Sequence, residues 1–114
     1  MQMTCTEAEN ALVVTVKDQR IDAAVAVRFK DNMQELTSHP SERVILDMQN
    51  VEFLDSSGLG AVVGSMKQLG RERRLDLAGL NPTVEKVFRI TRMDRVFQIF
   101  PDVDSALQDL ADAP

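Results

Sequence analysis

Two short β-rich runs bracket one helical stripe, and that pattern constrains the fold more than any other feature of the chain. Val44 to Met48 is the first run and Leu75 to Ala78 the second. Between them Leu59, Val62, Val63, Met66 and Leu69 recur at helical spacing, and Gly70 follows as a natural stop. A strand, a helix and a second strand in that order close by a right-handed crossover into a parallel pair.

The flanking sequence extends this unit. Leu12, Val14 and Val16 face one way and Val13 and Thr15 the other, so Leu12 to Val16 reads as a strand. A short strand near Met3 to Thr6 pairs with it across Glu9-Asn10. Val25, Phe29, Met33 and Leu36 predict a helix from Asp22 to roughly Ser38, with Asp22 as its N-cap and Pro40 beyond its end. Asn81-Pro82 opens another helix with Val84, Val87 and Phe88 on its apolar side. Val96 to Phe100 reads as an edge strand. Asp102 caps a last helix that buries Val103, Leu107 and Leu110. The predicted order is β-β-α-β-α-β-α-β-α. It implies a single α/β domain over residues 1–114, a mixed sheet of four to five strands packed with about four helices.

Composition narrows the function classes. The formal net charge of −5 argues against bulk binding to nucleic acid or anionic membrane. Neither Trp nor Tyr is present to stack on bases or sugars, although Phe could. Arg71, Arg73 and Arg74 form one basic cluster, read as a solvated helix end. Cys5 is the one cysteine, so no internal disulfide forms; this fits a reducing cytoplasm, with Cys5 as a small core or edge residue. No apolar run approaches a membrane span, and the N-terminus has no signal-peptide pattern.

Catalytic signatures are sparse. His39 is the one histidine, with no second His or Cys at metal-ligand spacing, and a triad would have to recruit it from far along the chain. Asp55-Ser56-Ser57-Gly58 lacks the glycine two places before serine that a nucleophile elbow uses. In Gly58-Leu59-Gly60 the third glycine of a dinucleotide fingerprint is missing, Gly64 falling one place late, and no Walker loop precedes Lys67. No cofactor is expected.

What remains is the turn Asp55-Ser56-Ser57-Gly58-Leu59-Gly60, at the start of the central helix. One reading is structural: Asp55 or Ser56 caps the helix, Ser57 adds a hydrogen bond, and the glycines permit tight packing. Yet a single cap needs one short polar side chain, and three stand in succession. Each glycine in a helix costs about 1 kcal/mol relative to alanine, which suggests that something approaches the backbone closely. The other reading is chemical. Phosphate on such a serine adds about −1.5 to −2 charge beside Asp55. Free N–H groups and the helix dipole tolerate that charge, whereas a closely docked partner does not.

The run Val51-Glu52-Phe53-Leu54-Asp55-Ser56-Ser57-Gly58-Leu59-Gly60 resembles the signature of STAS domains, specifically bacterial anti-sigma factor antagonists. The resemblance extends over Ile21-Asp22, the strand Val44 to Asp47, and Leu77-Ala78-Gly79-Leu80-Asn81-Pro82 leading into Val87-Phe88. It implies a cytoplasmic, non-enzymatic protein whose partner is an anti-sigma factor that is also a serine kinase with its own ATP pocket. Binding frees the sigma factor. Phosphorylation of Ser56 ends the binding, and a PP2C-type phosphatase restores it. Asp55 and Ser57 flank the acceptor, Asp22 contacts the kinase, and Gly58, Leu59 and Gly60 complete the partner-binding set. One departure stands out: family members often carry Gly-Glu-Leu-Asp or similar where this chain has Asp18-Gln19-Arg20-Ile21-Asp22, with the glycine missing and Arg20 added. The rival readings are a constitutive STAS interaction subunit, in which Ser56 only caps the helix, and a small hydrolase using Ser56.

Overall fold

A computed structural model describes residues 1–8, 11–38 and 41–111, with backbone alone at 110 and 111. The predicted β-α-β unit is its centre: β4 (Arg43–Asp47), α2 (Ser56–Leu69) and β6 (Arg74–Ala78), with β4 and β6 parallel. Gly70 ends α2 at a φ of +86°, a region that glycine enters without steric cost. Around the unit lie β1 (Met3–Ala8), β2 (Ala11–Val16), α1 (Ala26–Leu36), α3 (Pro82–Ile90), β7 (Ile99–Phe100) and α4 (Val103–Ala111). The main sheet runs β1-β2-β4-β6-β7, antiparallel at β1/β2 and parallel elsewhere. The antiparallel pairing of β1 with β2 agrees with the predicted one; Glu9-Asn10 lies outside the described residues.

Strand alternation divides the core. Leu12, Val14, Val16, Val44, Leu46, Leu75 and Leu77 pack with Phe29, Met33, Ala61, Val62, Val84 and Phe88 from α1, α2 and α3. Ala11, Val13, Ile45 and Ala78 face the other way, toward Ala106 of α4. Both faces of β4 are therefore covered, and all five of its residues are buried. Cys5 lies exposed on the edge strand β1.

Capping follows the sequence at two helices. Asn81 Oδ1 accepts from the Val84 N–H at 2.8 Å, with Pro82 in the first turn. Asp102 Oδ1 accepts from the Ser105 N–H at 2.7 Å, which holds the Asp102 carboxyl below the ordinary carboxylate range. A carboxyl depressed by folding contributes stability above its unfolded pKa, and that contribution fades as pH falls through the folded value. Asp102→Ala should therefore melt below wild type at neutral pH. The gap should close in strong acid, as thermal denaturation across a pH series would show.

Other expectations need correction. Asp22 does not cap α1. Its Oδ1 accepts from the Ala24 N–H at 3.1 Å, folding residues 22–25 into a turn. The helix starts at Ala26 and ends at Leu36, shorter at both ends than predicted. The strand predicted over 96–100 shrinks to Ile99–Phe100. Arg92 turns left-handed at φ 62°, a 3-10 turn follows at Met93–Arg95, and Phe97 goes into the core edge-to-face on Phe88. The basic cluster is not one solvated helix end. Arg73 donates through Nε to the Ser41 carbonyl and through Nη1 to the Thr37 carbonyl, both at 2.7 Å. Arg74 pairs with Asp76 at 2.8 Å, and Asp76 also holds the buried Arg43. Of the three, Arg71 lies exposed at the helix end.

A second, parallel pair stands apart from the main sheet: β3 (Arg20–Ile21) beside β5 (Phe53–Leu54), with Arg20 opposite Phe53 and Ile21 opposite Leu54. Strands of two residues carry no readable periodicity, and neither was expected. This miniature sheet nevertheless sets the site, because Asp22 follows one strand and Asp55 the other.

Candidate functional site

Asp55 is the joint of the site. Its Oδ1 accepts from the Gly58 N–H at 2.8 Å and so caps α2. Its Oδ2 accepts from the Ala23 N–H at 3.3 Å, across 32 residues of chain. One carboxylate thus ties the start of the serine helix to the turn that follows β3. Asp22 lies on that turn, and the two arms predicted from separate stretches of sequence come together.

With Asp55 as cap, the serines have no capping duty. Ser56 and Ser57 occupy the first two positions of α2, and both are exposed. Neither hydroxyl makes a hydrogen bond among the described residues. Of the two caps that the sequence left open, Asp55 and Ser56, the helix uses Asp55.

The glycines differ. Gly58 is buried, and a Cβ built there would stand 2.0 Å from the Ile21 carbonyl oxygen. The close approach suggested by this glycine is therefore internal, between α2 and β3. Gly58 thus has a packing role of its own within the fold. Leu59 is half-buried against the core. Gly60 is exposed, and a methyl group added there would meet nothing within 4 Å. The outward part of the predicted set is Ser56, Ser57 and Gly60, with Asp22 and Asp55 partly exposed beside them.

The family model of the STAS domain matches residues 2–106. The chain belongs to the STAS domain family. This STAS domain is 31% identical over 80 residues to an anti-sigma-B factor antagonist of Listeria monocytogenes, covering 69% of this chain and 70% of that one. It is 28% identical over 101 residues to a STAS-domain containing protein of Pseudomonas aeruginosa, covering 87% and 99%. The crystal structure of an anti-sigma factor antagonist from Mycobacterium paratuberculosis shares the fold at a TM-score of 0.86 and 23% identity, over 97% and 94% of the two chains.

Four exposed residues on the elements around this turn of the STAS domain were not picked out from the sequence as contact residues. Ala23 and Ala24 are exposed on the tied turn. Val27, on the first turn of α1, is 71% exposed. Its position off the stripe of Val25, Phe29, Met33 and Leu36 was the available signal. Phe53 is 38% exposed, beneath the Arg20 guanidinium at 4.2 Å from its ring centre. Among the described residues no group of three or more His, Cys, Asp or Glu could hold a metal, and no helix is long and apolar enough to cross a membrane. His39 lies outside the described residues.

Proposed function

We propose that this STAS domain is an anti-sigma factor antagonist whose binding is switched at Ser56. The observation that carries the reading is the division of labour at the head of α2. Asp55 uses both carboxylate oxygens within the fold, while the Ser56 hydroxyl stands exposed and unbonded one residue later. The anti-sigma-B factor antagonist of Listeria supports the partner class by its similarity. The unphosphorylated domain binds a serine kinase that is also the anti-sigma factor, and the kinase releases its target. ATP comes with the kinase, so the domain itself needs no cofactor. Transfer of the γ-phosphoryl group to Ser56 Oγ ends the binding, and a PP2C-type phosphatase resets the cycle in the cytoplasm.

Incubation with ATP and each candidate kinase of the same genome tests this by intact mass. One phosphate should be added to wild type and to Ser57→Ala, and none to Ser56→Ala. Phosphorylation of Ser56→Ala to wild-type extent would sink the assignment. Because Asp55 is the cap, Ser56→Ala should melt within a degree or two of wild type, so loss of phosphate reads as chemistry.

Gly60 gives an independent check. Alanine there fits the fold and gains about 1 kcal/mol of helix propensity. If the partner's backbone passes over this turn, Gly60→Ala should raise the melting temperature and still weaken partner binding. Calorimetry and a binding titration on the same sample would measure both.

A further inference from the structure

We infer that Arg20 selects the partner, by presenting its guanidinium to a carboxylate on the anti-sigma factor beside the switch. The inference rests on the proposed binding at the serine turn. It starts from a cation on an acidic edge: Arg20 stands two residues before Asp22, with its side chain largely exposed.

The geometry makes this arginine more than a solvated side chain. Arg20 is on β3, directly opposite Phe53 of β5. Its guanidinium lies over the Phe53 ring at 4.2 Å. Its Nε donates to Asp22 Oδ2 at 3.3 Å. An aromatic face below and a carboxylate at one edge hold the planar group in place, which lowers the rotamer entropy lost on binding. The side chain remains 62% exposed. Asp22 takes one N–H, and the rest of the fork has no acceptor among the described residues. A second carboxylate can therefore approach the open edge in the two-bond geometry that favours arginine. The present ion pair is too exposed to contribute much stability, so sharing the guanidinium costs the fold little.

Position and charge indicate the occupant. One residue beyond Arg20 and Phe53 the strands reach Ile21 and Leu54, then Asp22 and Asp55, then Ser56. Arg20 thus shares its platform with the serine. The surroundings are acidic: Asp22 and Asp55 lie on this edge, and the chain carries a net charge of −5. A partner surface built to meet these acids is basic around the serine and needs one acidic side chain opposite Arg20. A partner made for an acidic residue at this position would instead bring a basic one and be repelled. Discrimination by such a clash is how related interfaces stay separate.

The test is a binding titration of the unphosphorylated domain with its kinase/anti-sigma factor, with melting temperature as the control for folding. Arg20→Glu should weaken binding by at least about a hundredfold. A glutamate there also sits beside Asp22, so neutral Arg20→Gln is measured in parallel and should lose about tenfold. Arg20→Lys should fall between wild type and Gln, because charge survives without the planar fork. Replacing the facing acidic residue of the partner by arginine should restore binding to Arg20→Glu and weaken binding to wild type. Affinities of Arg20→Glu and Arg20→Gln within twofold of wild type would overturn the inference. So would losses that track melting temperature and resist rescue by the swapped partner. Failure of the switch reading is distinct: it appears as a bound partner that leaves Ser56 unmodified, whatever Arg20 does.

Discussion

Phosphorylated at Ser56, the domain should bind its anti-sigma factor at least about a hundredfold more weakly than the unmodified form, a loss of about 3 kcal/mol. The new group carries about −1.5 to −2 charge and stands next to Asp55, with Asp22 on the neighbouring turn. Inside a docked interface, unit charges about 4 Å apart interact by about 4 kcal/mol at an effective dielectric of 20. The fold feels much less. Ser56 is at the first position of a 14-residue helix, where the dipole favours negative charge and the side chain faces solvent. The melting temperature of the phosphorylated form should stay within a few degrees of the unmodified one. Ser56→Asp brings a single charge and less bulk, so it should give a smaller loss, about tenfold. Titration of the purified phosphoprotein and of Ser56→Asp against one partner preparation would establish this order. Equal affinity of the two natural forms would remove the switch.

The second large effect is structural. Gly58→Ala should destabilise the domain by about 3 kcal/mol or more, lowering the melting temperature by on the order of 10 °C. The added methyl would stand 2.0 Å from the Ile21 carbonyl oxygen, 2.9 Å from its carbon and 3.0 Å from the Leu54 Cδ1. Two of the three contacts are backbone, so no rotamer change relieves them. The first turn of α2 has to move off β3. That movement breaks the bond from the Ala23 N–H to Asp55 and separates the serine turn from Asp22. Gly60→Ala, two residues on, has open space around it and moves stability the other way. Thermal denaturation of the two variants side by side decides the point: similar melting temperatures would mean that the α2–β3 approach does not matter.

Much of this architecture was legible because periodicity and capping chemistry agreed. The central β-α-β unit and the hairpin follow from the periodicity of their own runs, and the Asn81 and Asp102 caps from residues within about one turn of each other. The misreadings arose where a distant group decided the outcome. Asp22 has the chemistry of a helix cap, but Arg20 holds one of its oxygens and a local turn takes the other. Arg73 looks like a helix-end cation until the Thr37 and Ser41 carbonyls are brought to it by the fold. At the site, the serine turn could be read from its six residues. The assignment of the cap to Asp55 could not, because three adjacent residues all have suitable oxygens. The opposite fates of Gly58 and Gly60 depend on β3, a strand of two residues with no signal of its own.

The separateness of β3 and β5 has an evolutionary corollary. Arg20 and Phe53 project from exposed positions there that take no part in the main apolar interior. If these positions read the partner as proposed, a lineage can rewrite Arg20 and Phe53 to acquire a new binding protein while the hidden carbonyl of Ile21 keeps Gly58 in place. Duplicated copies within one cell could in this way diverge into insulated circuits, each retaining the same scaffold and the same exposed Ser56 hydroxyl.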